Sequence, residues 1–324
     1  MPKIIAICNK KGGVGKTITS VNLAVALVKQ DKKVLVVDLD AQSNSTGILK
    51  SDRTLIEKYI TDLFETTRLG GEYPEKSKFI CTSDDGVDFI GSNTLLGNTE
   101  IGLASEMYRE TMLKRILAPI GNFYDYIILD CQPSIGIITI NALAAADEII
   151  IPVQANDFFC LDGLANLMKY IKITQTHINP SLHIAGTLIT KYLAHTNISK
   201  LVCRTVYENQ SIPVFKTKIS LSTKVAETAA VKESIFSYSP KSKAVLEYRF
   251  SKGGYGALSM KKLQMRMGNN TPLDINQEYE KTQNNENDEL AQMFTPSSIE
   301  VQAKIKLLLM RVILKIFLTP LTFR

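Results

Sequence analysis

The 324-residue sequence predicts a doubly wound α/β fold with a mostly parallel sheet. Three observations carry this expectation. Short runs that are apolar at every position recur along the chain, as strands covered on both faces require. Helix-length segments alternate with those runs. The residues that could carry chemistry follow strand ends, where open α/β sheets bind ligands.

Taken in order, the strand candidates are KIIAIC (Lys3–Cys8), KVLVVD (Lys33–Asp38), VDFIG (Val87–Gly91) and YIILD (Tyr126–Asp130). EIIIPV (Glu148–Val153) and HIAGTLIT (His183–Thr190) continue the series. Between and after them lie the helix candidates TITSVNLAVALVKQ (17–30), EMYRETMLKRIL (106–117), ITINALAAA (138–146), LDGLANLMKYIKITQ (161–175) and ISKLVCRTVYEN (198–209). Beyond Arg249 the regularity stops. QEYEKTQNNENDE is polar and asparagine-rich, a composition that favours disorder. The expected organisation is therefore a domain over 1–250, a polar linker over 251–300 and a basic apolar helix candidate over 301–324. As a helix, that last piece would align Lys304, Arg311 and Lys315 on one stripe, with Lys306 opposite.

Composition narrows the class. The chain is 45% hydrophobic and 22% charged, as in soluble globular proteins. No run approaches the about 20 apolar residues of a membrane span, and MPKIIAIC does not read as a signal peptide, so a cytoplasmic protein is expected. The five cysteines form no zinc pattern, and Cys8 and Cys131, inside apolar runs, read as buried thiols. The net charge is +6. Residues 191–249 hold ten basic and four acidic side chains, so this segment alone accounts for an excess of that size and points to a polyanionic partner.

The stretch CNKKGGVGKTITS, Cys8 to Ser20, carries the strongest signal. It follows a strand and opens a helix, which is the setting of a phosphate-binding loop. Gly12, Gly13 and Gly15 let backbone N–H groups approach phosphate oxygens, and the helix N-terminus adds partial positive charge. Lys16 would reach the β- and γ-phosphates and the Thr17 hydroxyl would hold Mg²⁺. Lys11, Gly12, Gly13, Val14, Gly15, Lys16, Thr17 and Ile18 form the candidate cofactor-binding set. Asp130, after four apolar residues, is the candidate second metal ligand, with a helix N-cap as the structural alternative. In VDLDAQSNSTG, Asp40 is the candidate that orients a water and Asp38 a supporting metal residue. An aspartate-stabilised turn is compatible with both roles. The guanine-reading pattern N-K-x-D is absent, which favours adenine. One feature breaks the common loop pattern: Lys10 stands where a glycine is usual, and Lys11 adds a further cation.

KGGVGKT, VLVVDLDAQSNST, YIILDCQPS and IPVQANDFFCLDGL, in this order, resemble the ParA/Soj family of partitioning ATPases, in the deviant Walker-A group that also contains MinD. The likeness runs from about Lys3 to about Tyr248. It implies a P-loop ATPase that binds ATP and Mg²⁺ and forms an ATP-dependent homodimer. Lys11 would cross to the partner's phosphates, giving Lys11, Lys16 and Asp40 catalytic roles and Thr17, Asp38 and Asp130 the metal. It further implies non-specific double-stranded DNA binding, nucleoid association and a ParB-like partner that stimulates turnover. Lys191, Lys216, Lys218, Lys224 and Lys243 are the DNA-binding candidates. Departures are His195 and Leu221 where relatives often carry arginine, and Gln132 where proline is common. The chain also leaves the family pattern after AVLEYR, as a frameshift or fusion near Arg249 would produce. Two rival readings are a MinD-like membrane ATPase anchored by the tail, and a nucleotide-gated DNA-binding or repressor module with little hydrolysis.

Overall fold

The computed structural model describes residues 1–50, 55–208 and 212–249. The chain divides into Met1–Arg266 and Met267–Arg324, and every described residue falls in the first unit. The expected linker and tail helix lie outside the described residues.

Among the described residues eight strands form one sheet: β1 (Lys3–Ile7), β2 (Val34–Leu39), β3 (Cys81–Thr82), β4 (Asp88–Ile90), β5 (Tyr126–Cys131), β6 (Glu148–Gln154), β7 (His183–Tyr192) and β8 (Val214–Ser220). Their order is β3-β4-β2-β5-β1-β6-β7-β8, parallel throughout except for the β3–β4 pair. Eleven α-helices accompany them among the described residues: α1 (Lys16–Val28), α2 (Asn44–Leu49), α3 (Ile60–Leu69), α4 (Leu96–Gly102), α5 (Met112–Leu117), α6 (Ile137–Ala145), α7 (Cys160–His177), α8 (Asn197–Glu208), α9 (Thr223–Val231), α10 (Ile235–Tyr238) and α11 (Lys243–Tyr248).

The all-apolar strands follow from burial on two sides. Successive residues of a strand point to opposite faces, so Ile5 and Ile7 enter one core while Ala6 and Cys8 enter the other. Val34 and Val36 face α1, α10 and α11; Leu35, Val37 and Leu39 face the side built by α3, α5, α6, α7 and α8. Cys8 and Cys131 are buried thiols, as their apolar settings imply.

Differences from the sequence reading have local causes. The expected helix over 106–117 is α-helical only over Met112–Leu117, after a 3₁₀ turn at Arg109–Thr111. The Asn141 amide, buried on α6, donates to the Arg109 carbonyl at 2.7 Å and its oxygen accepts from Leu113 N–H at 3.0 Å, tying this stretch to α6. Asp130 does not cap the following helix, since α6 begins after Gly136. β8 escapes the apolar pattern because lysines interrupt it: Phe215 and Ile219 point inward while Lys216 lies exposed.

At the amino ends of the strands Glu148, the first residue of β6, is 2% exposed. Its Oε1 accepts from Lys3 Nζ at 2.8 Å and lies 2.7 Å from His183 Nε2. Burial by itself would raise the Glu148 pKa, but the Lys3 and His183 contacts prevail and hold it below the usual carboxylate range. An acid with a depressed folded pKa stabilises above its unfolded value and loses that contribution as pH falls through the folded one. Glu148→Gln is therefore expected to cost about 1–3 kcal/mol near pH 7, a difference that shrinks below about pH 4. Urea denaturation of both proteins at several pH values measures it; a gap that widens in acid contradicts the assignment.

Candidate nucleotide site

Register builds the site. Ile7 of β1 and Asp38 of β2 both lie opposite Asp130 of β5, so the glycine loop and two carboxylates emerge side by side. The loop is held from below. Cys8 N–H donates to the Ile150 carbonyl at 3.1 Å, Asn9 Nδ2 to the Pro152 carbonyl at 2.7 Å, and Thr190 Oγ1 to the Val14 carbonyl at 2.8 Å. Gly13 and Gly15 take φ values of +74° and +91°, which residues with a Cβ adopt only under strain. A Cβ placed on Gly12 or Gly13 would meet no atom within 4 Å, so both face open space above the loop. Gly15 precedes α1 without any side-chain cap, which leaves the first-turn N–H groups for an anion. Val14 is fully buried and Ile18 packs against the core, so only their backbones can serve a ligand there.

The electrostatics are those of a desolvated charge cluster. Lys16 is 7% exposed and its Nζ donates to the Lys11 carbonyl at 3.1 Å. Burial lowers its pKa, opposed chiefly by the Asp130 charge. Asp130 is pushed up to about 7, first by burial and then by the neighbouring Asp38 charge, with Ser20, Thr17 and Lys16 acting against the rise. Ser20 Oγ donates to Asp130 Oδ1 at 2.9 Å, whereas the buried Asp130 Oδ2 has no hydrogen-bond partner. A buried acceptor without a partner points to a missing cation or donor. With the Thr17 hydroxyl beside it, the donor set is all oxygen, which fits a hard ion such as Mg²⁺.

Asp38 is engaged otherwise. Its Oδ1 accepts from Asp40 N–H at 3.1 Å; its Oδ2 accepts from Thr46 N–H at 2.8 Å and Thr46 Oγ1 at 2.6 Å. Burial still raises its pKa above that of an ordinary aspartate. The carboxylate thus ties β2 to the first turn of α2 and supports the Asp40 turn, where Asp40 Oδ1 accepts from Gln42 N–H at 2.9 Å. Lys11, on the rim, forms an ion pair with Asp157. Lys10 is exposed.

Lys11, Lys16, Thr17, Asp38, Asp40 and Asp130 are accordingly brought to one edge of the sheet. The sequence reading missed Asn9, Ser20, Thr46, Asp157 and Thr190, which hold that cluster. The basic candidates lie on β7, β8, α9 and α11. Lys224 pairs with Glu227 at 3.1 Å and Lys243 with Glu247 at 3.1 Å, while the Lys218 ammonium sits 4.6 Å from the Tyr192 ring centroid. Lys191 and Lys216 have no ion-pair partner among the described residues.

Residues 2–184 match the family model described as an AAA domain. The chain is 38% identical over 248 residues to the sporulation initiation inhibitor protein Soj of Bacillus subtilis, covering 76% of this chain and 96% of that protein. It is 34% identical over 251 residues to the chromosome partitioning protein ParA of Myxococcus xanthus, with 76% and 85% covered. The chain belongs to the ParA/Soj family of partitioning ATPases. In structure it is similar to a cobyrinic acid a,c-diamide synthase of Mycobacterium smegmatis solved with ADP and magnesium, with a TM-score of 0.66 and 31% identity over 77% of this chain and 91% of that one. Within this ParA/Soj chain the glycine loop, the Asp38 turn and Asp130 occupy successive carboxyl ends of three adjacent strands.

Thr46 closes the Asp38 turn on two sides, because its Oγ1 also accepts from Ser92 N–H at 2.9 Å. Thr46→Val keeps the shape and removes both hydrogen bonds. The expected loss is about 2–3 kcal/mol, lowering the melting temperature by about 5–10 °C. A calorimetric shift under about 2 °C would show that Asp38 is not held this way.

Proposed function

We propose that this chain is a Mg²⁺-dependent ATPase that dimerises on ATP, binds DNA without sequence preference and partitions a plasmid or chromosome with a ParB-like partner. The observation that carries the reading is the orphaned Asp130 Oδ2 beside Lys16 and Thr17, under a glycine loop open to ligand. The family membership and the magnesium and ADP of the similar solved structure support it.

In this reading the N–H groups of Gly12, Gly13, Val14, Gly15, Lys16, Thr17 and Ile18 bind the phosphates and Lys16 neutralises their charge. Thr17 and Asp130 would hold Mg²⁺, with Asp38 supporting; the ion would offset developing charge on the phosphoryl oxygens. Asp40 accepts a hydrogen bond from the attacking water and aligns it with the γ-phosphate. Lys11, at the rim, lies where it can supply its charge to nucleotide held by a second copy, much as arginine fingers do. DNA binding by the β7–α11 region would place the dimer on the nucleoid. The rival membrane reading rests on the basic tail, which lies outside the described residues; among those residues no helix is long and apolar enough to cross a membrane.

Asp40→Ala is expected to bind ATP within about threefold of wild type while hydrolysis falls at least about 100-fold, a loss typical of removing a water-positioning group. Nucleotide binding and phosphate release, assayed separately, give the two numbers; unchanged turnover removes Asp40 from the mechanism. For DNA, Lys191→Ala/Lys216→Ala should weaken binding more than Lys224→Ala/Lys243→Ala, because the second pair is already neutralised by carboxylates. In the first variant the slope of log affinity against log salt should fall by about one for each phosphate that is no longer neutralised. No loss in either variant would place the DNA face elsewhere, and equal losses would show that the carboxylates do not withhold Lys224 and Lys243.

A further inference from the structure

Lys11 is fixed at three points. Its N–H donates to Asn9 Oδ1 at 3.0 Å, its carbonyl accepts from Lys16 Nζ at 3.1 Å, and its ammonium is paired with the Asp157 carboxylate. Asp157 is itself oriented rather than free to follow. Its Oδ2 accepts from Gln154 Nε2 at 3.0 Å and its Oδ1 from Phe159 N–H at 2.9 Å, at the entrance of α7. Gly163 closes the other side, since a Cβ there would lie 3.1 Å from Asn9 Oδ1 and 3.4 Å from Lys11 Cβ. The ammonium is thus drawn toward its own α7, on the rim of its own glycine loop.

We propose that Asp157 is a positioning residue that competes for Lys11, retaining it within its own chain until nucleotide and a second copy together displace the pair. This rests on the dimerisation reading above. One contact in the loop makes the competition responsive to ligand. Lys16 Nζ donates a hydrogen bond to the Lys11 carbonyl, and the same ammonium is the cation placed to neutralise a phosphate. A phosphate that draws Lys16 away releases one of the three points holding Lys11. Lys16 then faces phosphate, the Lys11 N–H still donates to Asn9 Oδ1, and the Lys11 side chain is held by a single carboxylate about one-third exposed (32%). Asp157 thereby sets how much ATP is needed before copies associate, with little effect on how tightly one copy binds ATP.

The test uses the full chain, as wild type and as Asp157→Asn, Asp157→Ser and Asp157→Glu. Serine keeps an oxygen for the Phe159 N–H and so separates the turn from the charge; glutamate keeps the charge. Dimerisation is followed by light scattering while a non-hydrolysable ATP analogue is titrated with Mg²⁺, and analogue affinity is measured at protein concentrations low enough to stay monomeric. Asn and Ser are expected to lower the analogue concentration at half-dimerisation by about three- to tenfold, with monomer affinity unchanged within about twofold and Glu close to wild type. In nucleotide-free protein, acylation of the Lys11 amine read by mass spectrometry should be several-fold faster in Asn and Ser. Unchanged midpoints in variants that dimerise overturn the role of Asp157 and leave dimerisation standing, as does unchanged Lys11 acylation. A wild type that stays monomeric at saturating analogue brings down the dimerisation reading, and this one with it.

Discussion

The constraint on which the site depends is the parallel register of β2, β5 and β1. It sets Asp38 and Asp130 directly opposite each other, each 1% exposed, at the mouth of the glycine loop. Two carboxylates so placed repel and are both poorly solvated, which is why Asp130 lies near 7 rather than near an ordinary aspartate. The surrounding residues divide the problem between them. Thr46 and the Asp40 N–H satisfy Asp38 and leave it little capacity to ligate anything else. Ser20 satisfies Asp130 Oδ1 and Lys16 offsets part of the carboxyl's charge, but its second oxygen has no hydrogen-bond partner. A hard cation would satisfy that oxygen. The fold thus stores electrostatic strain where a metal and a polyphosphate would relieve it.

That division was only partly legible in the sequence. The strands were legible because burial on both faces demands apolar residues at every position, and the glycine loop because its spacing follows from its backbone geometry. Asp130 could be read from its place after a buried strand. Two of the partners could not, because they come from far along the chain: Thr190 reaches Val14 and Asp157 reaches Lys11 across the whole of the intervening fold. Asp38 and Asp40 look alike in VDLDAQ, yet one is engaged by a turn and the other is half-exposed beside it; only the position of α2 separates them. The 106–117 segment misled for a related reason, since its helical composition is overridden by one buried amide, Asn141, from another helix.

Charge behaves similarly in the carboxyl-terminal part of the domain. Counting residues located the basic excess but weighted every lysine equally. In the fold, Lys224 and Lys243 pair with glutamates within one helical turn, and Lys218 lies over tyrosine rings. Among the five candidates this leaves Lys191 on β7 and Lys216 on β8 without an ion-pair or ring partner among the described residues. Lys191 has a left-handed backbone at φ 51° beside Thr190, the residue that braces the glycine loop. Lys191 therefore stands at the same strand end as the brace of the glycine loop.

Lys11 and Lys16 differ in the property that decides their use. Lys16 is buried, and a desolvated ammonium interacts most strongly when a phosphate replaces its weak carbonyl partner. Lys11 is about a quarter exposed and paired with Asp157 on the rim, so its charge is partly screened. A loop that needed only to bind phosphate would gain little from a second cation facing outward. One that must sense both its own ligand and a neighbour's needs the two cations in different dielectric settings, joined through the carbonyl of Lys11. Under the dimerisation proposed above, that joint requirement would account for Lys11 in KKGGVGKT.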